Sequence, residues 1–415
     1  MEKKIEKPPV NLLSGSVTGS FAYLTVKDRL PHILTKVIDA LSRQLNSDTY
    51  PPKVLKDIIS DIAELKYNLT RNRKLPESNH PLWKPSLEEI EVSKRTWFDA
   101  PWLLIECYMY ELLNQIVSTR CQEIPKKLDI FWDLKVQSFK ETLPQMRIIS
   151  KQSQLIWEAN SFNPATLSKL IELIILTNNQ ADLSLSLEDT SKAINSSKNL
   201  VVNDLGKVVD LLMNVNKQIT FVLDNSGFEL YSDLCLAEYL TKHTTITVIL
   251  ECKNNPWFVS DTTMNDFQFL LESFDVESTE LQRQSTQWKA WLDSKRWIIR
   301  SNEFWTCPLS FWYLPQQSDL FQSLSQSEVI IFKGDLNYRK MVYDGNWPVT
   351  TQFADAIGPL AHSKFPPFVM LRTCKSDTCV GLSANQEHEL PALDKDWMVN
   401  GKFGLVQLHH NIIPS

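Results

Sequence analysis

Glycine is scarce: 10 residues in 415, about 2.4% against a usual share of about 7%. Eight of the ten lie after residue 200, so the two halves of the chain are built differently. The first half has no phosphate-cradling loop, no zinc spacing and no GxGxxG. Histidine is also sparse. His32, His80, His243, His362, His388, His409 and His410 make no HxH or HExxH pattern, which argues against a histidine metal site. Ser226-Gly227 is not a GxSxG elbow, so a serine hydrolase is disfavoured.

The seven cysteines, at 107, 121, 235, 252, 307, 374 and 379, form no ligand pattern. Cys374 and Cys379 are the nearest pair and lack a second pair to complete a zinc site. With a charged Met1–Lys7 segment in place of a signal peptide, the expectation is reduced thiols in a cytoplasmic protein, with the nucleus as a second location. The longest apolar run, Leu170–Leu176, is too short to span a bilayer and is interrupted by Glu172. The net charge of -6 gives no electrostatic reason to seek nucleic acid or an anionic membrane. No feature assigns an oligomeric state.

What is present is ordinary globular material: 43% hydrophobic and 22% charged. At about 150 residues per domain, the length suits two or three domains or one large one. From Leu30 to about Thr177 the apolar spacing is helical. Ile33, Leu34, Val37, Ile38 and Leu41 form one stripe, with Pro31 in a first turn that loses nothing by lacking an N–H. Residues 54–66 and 103–117 repeat the pattern, and Asn163-Pro164 opens a helix through Leu176. Residues 178–199 are polar and low in aromatics, a linker or exposed loop.

After residue 200 short β-branched runs appear at 219–223, 246–250, 329–332 and 368–371, separated by helical segments at 230–241, 264–274 and 353–361. Asn203-Asp204 caps a helix through about Val215. The expectation is an α/β fold: a three-layer, mainly parallel sheet with helices on both faces, plus an N-terminal helical bundle domain. The domains are 1–177, the linker 178–199, and 200–415 carrying the site.

Each apolar run ends in charged and amide groups. They are Asp224, Asn225 and Glu229; Lys253 through Asp261; Asp335, Leu336, Asn337, Tyr338 and Arg339; and Arg372 with Lys375. If these strands are parallel neighbours, all four clusters meet on one edge, where open α/β sheets bind ligands. Asp224, Asn225 and Asp261 are hard oxygen ligands suited to Mg²⁺ or Mn²⁺. Lys253, Arg339, Arg372 and Lys375 are cations suited to a phosphate. Asp335 is a carboxylate able to orient a hydroxyl or move a proton. The pattern points to a metal-dependent site for a small phosphorylated molecule, in which a metal-polarised water or a carboxylate such as Asp224 would attack phosphorus. Alone, Asp224-Asn225 and Asp261-Thr262-Thr263 also suit helix starts.

The motifs Asp-Asn-Ser-Gly-Phe-Glu at 224–229, Lys-x-x-Pro-Trp-Phe-Val-Ser-Asp at 253–261, Gly-Asp-Leu-Asn-Tyr-Arg at 334–339 and Arg-Thr-x-Lys at 372–375 resemble the damage-control phosphatases. The last is typical of their sugar-phosphate subfamily. Gly19–Ala22, Asp28–Pro31, Pro101–Leu103 and Glu106–Tyr108 extend the resemblance over about residues 15–410. It implies metal ligation by Asp224, Asn225 and Asp261, with Asp224 and Asp261 catalytic, and sugar-phosphate binding by Asp335–Arg339 and Lys375. It implies hydrolysis of fructose 1-phosphate and fructose 6-phosphate with Mn²⁺, Co²⁺, Ni²⁺ or Mg²⁺. It also implies a contact of Glu229 with S-adenosylmethionine, because the subfamily includes a protein described as an acidic-residue methyltransferase. A protein carboxyl (glutamate) O-methyltransferase is therefore the alternative, and a non-catalytic binding module the third reading. The acidic turn after the first run is unlike the glycine-rich turn that takes an adenosine cofactor.

Overall fold

The structure, a computed structural model, describes residues 7–46, 49–123, 128–157, 161–177 and 199–410. Of the polar stretch 178–199, all but Asn199 lies outside the described residues. Helices run in the order α1 Leu30–Arg43, α2 Pro52–Thr70, α3 Trp102–Arg120, α4 Trp132–Trp157 and α5 Pro164–Thr177. Then follow α6 Leu205–Leu212, α7 Phe228–His243, α8 Met264–Phe274, α9 Thr279–Asp293 and α10 Gly334–Met341, with shorter turns between.

The strands are β1 Leu200–Asn203, β2 Gln218–Val222, β3 Thr247–Cys252, β4 Trp297–Ser301, β5 Val329–Lys333, β6 Phe368–Thr373 and β7 Gly404–His409. Among the described residues they form one sheet in the order β1-β7-β6-β5-β2-β3-β4. The five strands from β6 to β4 pair in parallel, and β7 runs against β6. The α/β expectation therefore holds. The central strands read as unbroken apolar runs because both faces are covered: β5 and β6 are buried at every position.

One face carries Ile219, Phe221, Leu223, Val248, Leu250 and Ile331. It packs against α4 through Phe139 and Met146, α5 through Leu167 and Ile171, and α7 to α9. The other face carries Val222, Ile330, Phe332 and Met370 under Trp305, Phe311 and Trp312. A third core gathers α1, α2 and α3 and takes in Trp257 and Leu336, which follow β3 and β5. That core therefore leans on the carboxyl edge of the sheet. The helix expected at 353–361 is two short turns, Phe353–Ala356 and Gly358–His362, broken at Gly358 with φ +53°.

Strand order sets the site. From β2 the chain steps to β3 and β4 on one side, then returns to β5 on the other. The crevice beyond the ends of β2 and β5 is thus a topological switch point, the usual ligand position in open α/β sheets.

Candidate active site at the switch point

Asp224 follows β2, Lys253 follows β3, Gly334 follows β5 and the Lys375 loop follows β6, so adjacent strands β6-β5-β2-β3 deliver the four motifs to one edge. The β2 and β3 loops are laced together. Thr262 N donates to Asp224 O at 2.7 Å, Ser226 N to Ser260 O at 2.7 Å and Lys253 N to Thr262 O at 2.8 Å. Asn225 and Asp261 face each other in an isolated bridge. The loop reaches this place through two consecutive left-handed residues, Phe258 (φ 42°) and Val259 (φ 70°). For a β-branched valine that is a strained backbone, of the kind concentrated at functional sites. Stacking of Phe258 on Tyr110 of α3, with centroids 4.8 Å apart, holds it.

Gly334 is required by a close approach. Its φ is +83°, and a Cβ there would overlap the Asp224 carboxylate. Asp224 is 6% exposed, Asp261 2% and Lys253 1%. The Asn225 amide donates to Asp224 Oδ2 at 2.9 Å and Glu229 Oε2 at 2.8 Å, and its Oδ1 accepts from Ser260 Oγ. Lys253 donates to Leu223 O at 2.8 Å and stands 3.3 Å from Asp261.

Two residues the sequence reading gave no role complete this pocket. Lys333, the last residue of β5, donates to Glu229 Oε1 at 2.7 Å and stands 3.0 Å from Asp233. Glu229 and Asp233 are four apart on α7, a helix buried on every side from Glu229 to Thr241. Acids at that spacing on an all-buried helix need a cation, and this was the available signal.

Four carboxylates, Asp224, Glu229, Asp233 and Asp261, are buried against two ammoniums, Lys253 and Lys333. With all four written as anions, the acids exceed these two ammoniums by two charges. Asp261 Oδ2 and both Asp233 oxygens are buried without an aligned hydrogen-bond donor. Burial, then Glu229 and Asp261, push the Asp224 carboxyl well above the usual carboxylate range. Burial raises Asp261 to about 6 against the pull of Lys253, and Asp233 to about 7 against the pull of Lys333. Among the described residues no group of three or more His, Cys, Asp or Glu side chains is placed to hold a metal ion. The set on offer is two carboxylates and an amide oxygen, which fits a hard divalent ion that keeps its own waters. The uncompensated charge matches such an ion in sign and size.

The guanidinium side is different. Arg339 is clamped by Asp344 at 2.7 and 3.0 Å and by Glu106 of α3 at 2.5 Å, and stacks 3.7 Å from Trp102. Arg372 donates to Asp335 Oδ1 and Thr378 O at 2.7 Å and to Ser376 Oγ at 2.8 Å, and lies over the Tyr338 ring at 4.1 Å. Both were expected to meet a phosphate, yet both are buried and engaged with protein acceptors, so they build the wall of the site. Asp335 was expected to orient a hydroxyl. Its Oδ1 takes Arg372, Lys375 N at 3.1 Å and Ser376 Oγ at 3.0 Å, so it fixes the Lys375 loop. Burial would raise its carboxyl, but Arg372 and Arg339 outweigh it and hold the group low.

Leu336 packs into the helical core. Asn337 donates to Lys333 O at 2.7 Å, and Tyr338 Oη accepts from Val380 N at 3.0 Å. Lys375 is half-exposed at the rim. Of the expected residues, buried Asp224, Glu229, Lys253 and Asp261 form one cluster with half-buried Asn225, and Asp335, Arg372 and Lys375 a second, joined through Gly334. The roles of Glu106 and Asp344 were not foreseen; Glu106 binds Arg339 from the helical half, and Asp344 from five residues further along the chain.

Residues 25–390 match a family model described as the damage-control phosphatase ARMT1-like domain. Damage-control phosphatase ARMT1 of Xenopus laevis is 33% identical over 447 aligned residues, covering 98% of this chain and 100% of that protein. The Homo sapiens protein of the same name is 33% identical over 437 residues, covering 95% and 97%. A solved DUF89-family protein from Pyrococcus horikoshii aligns over 84% of this chain and 92% of its own, at 15% identity and a TM-score of 0.38. Among the described residues no helix is long and apolar enough to cross a membrane.

Proposed function

The chain belongs to the ARMT1-like damage-control phosphatases, and from that membership we propose that it hydrolyses small sugar phosphates in a divalent-metal-dependent reaction. The class we assign is that of fructose 1-phosphate and fructose 6-phosphate. The observation that carries the metal dependence is the pair of surplus negative charges buried at the switch point among oxygen ligands.

Asp224, Asn225 and Asp261 would hold the ion. When bound, it supplies positive charge against the phosphate oxygens. Lys253 neutralises Asp261 and ties β3 to β2, so the ligands from both loops stay in register. Lys375 meets the ester at the rim, on a loop that Asp335 holds through Lys375 N and Ser376 Oγ. The tight packing around Asp224 and Asp261 excludes water, which strengthens every electrostatic contact made there.

Glu229 is committed to Lys333 and Asn225, so no observation favours the methyltransferase reading. The test is phosphate release from a panel of phosphorylated metabolites with Mn²⁺, Co²⁺, Ni²⁺ or Mg²⁺, and with chelator. Release from fructose phosphates that chelator stops is the expected result. Release untouched by chelator would overturn the metal dependence, and release confined to other esters would overturn the substrate class.

A further inference from the structure

Glu229 divides its two oxygens between two different donors. Oε1 takes the Lys333 ammonium at 2.7 Å and Oε2 takes the Asn225 amide at 2.8 Å. Lys333 is 1% exposed and is also 3.0 Å from Asp233, itself fully buried. It can only donate, so it must always face an oxygen. Asn225 is the one ligand in the proposed set with two chemically unlike ends. Its NH₂ faces two carboxylates, Asp224 and Glu229, which when ionised can only accept. That leaves Oδ1 on the side of Ser260.

We infer that Lys333 and Asp233 are positioning residues that hold Glu229, and that Glu229 thereby fixes the Asn225 amide with its oxygen, not its NH₂, available to the cation. This rests on the metal reading above. Partners behind the ligands of metal sites commonly set ligand orientation in this way, and their loss weakens metal affinity about 10–100-fold.

The arrangement makes an unusual demand on substitutions. In Glu229→Gln, Lys333 keeps the remaining oxygen, so the new NH₂ faces Asn225. Two NH₂ groups cannot face each other, and the Asn225 amide turns over at the expense of its bond to Asp224. Its nitrogen then occupies the place of the ligand oxygen. In Glu229→Ala no group forces the turn. Asn225 keeps its bond to Asp224, and water can accept its second N–H.

The isosteric change should therefore harm metal binding more than the truncation. A packing role predicts the reverse order, and a role through net charge alone predicts equal losses. The exchange Asn225→Asp/Glu229→Gln returns an oxygen to the cation, because aspartate presents oxygen at both ends.

The experiment is Mn²⁺ binding without substrate, read by calorimetry and by the Mn²⁺-induced rise in Tm of chelator-treated protein. We expect Glu229→Gln to bind about 10–100-fold more weakly than wild type, Glu229→Ala to lose less, and the exchange variant to regain most of the affinity. Glu229→Ala binding as weakly as Glu229→Gln, or more weakly, would overturn the proposal. So would an exchange variant no tighter than Glu229→Gln, which decides the matter even if the alanine variant does not fold. Wild type that takes up no Mn²⁺ would instead sink the metal reading itself, and this proposal with it.

Discussion

The two sides of the crevice are built from the same groups, buried carboxylates and buried cations, and differ in how the oxygens are satisfied. Around Arg339 and Arg372 each carboxylate meets an aligned N–H. Asp344 takes two guanidinium bonds, Glu106 one, and Asp335 Oδ1 a guanidinium, a backbone N–H and a hydroxyl. Around Asp233 and Asp261 buried oxygens lack aligned donors, and the acids of the pocket outnumber its two ammoniums by two. A buried cluster that satisfies itself is a piece of scaffold. A buried cluster that does not is set up for something that arrives later, and it weakens the fold until then. The arginines drew notice in the sequence as phosphate ligands, whereas satisfaction, not charge, separates wall from site.

The sharpest break of that comparison is Asp224→Asn. Removing one carboxylate from the unsatisfied side should cut phosphate release at least about 10³-fold, in line with the loss of groups that act directly on a reacting centre. In chelator the same change should raise stability by about 1–3 kcal/mol, because it relieves a buried repulsion. Thermal unfolding with and without Mn²⁺ reads both sides: a higher Tm in chelator and a smaller rise on adding the ion. A variant that is less stable in chelator would mean that Asp224 is structural.

Arg339→Leu tests the other side and should do the opposite. It strands Glu106 and Asp344 in a buried place, at a cost of about 3–5 kcal/mol. Mn²⁺ should not repair the loss. Denaturant unfolding measures it, and a loss below about 1 kcal/mol would show that the guanidinium clamp is not scaffold. Between the two lies Gly334→Ala. The left-handed backbone and the overlap with Asp224 should cost about 1–3 kcal/mol. Because the clash is with a ligand, Mn²⁺ binding should weaken alongside stability, and stability lost with unchanged Mn²⁺ binding would separate Gly334 from the site.

Much of this arrangement is legible in the chain. β2, β3, β5 and β6 stand out because a doubly covered parallel strand has no polar alternation to hide it, and the groups that follow them collect at one edge. β4 and β7 do not stand out. Trp297–Ser301 ends in Arg300 and Ser301 at the sheet margin, and Gly404–His409 mixes Gln407 and His409 into an antiparallel strand near the other margin. β1 is four residues long and reads as a lead-in to the Asp204 helix. Asp233 is missed because an acid inside a helix ordinarily faces water. Glu106 is missed because it meets Arg339 only after the helical half has docked, an encounter between distant segments that no local pattern records, and Asp344, five residues after Arg339, is missed because it lies in the turn after the helix and outside the motif.

Lys375 gives the smallest and most specific effect, because it belongs to neither cluster's interior. It is half-exposed, and its backbone N–H donates to Asp335 at 3.1 Å. Lys375→Ala therefore leaves the loop anchored through Arg372, Ser376 and the backbone. Stability should move by no more than about 0.5 kcal/mol. If the ammonium meets the phosphate in ground state and transition state alike, KM for a sugar phosphate should rise about tenfold while kcat stays within about twofold, the signature of uniform binding. Raising the salt concentration should weaken wild type toward the variant, since a contact at the rim is screened and one in the interior is not. A fall in kcat as large as the rise in KM would instead place Lys375 among the groups that act on the breaking bond. The contrast between a satisfied wall and an unsatisfied centre would then extend out to the rim.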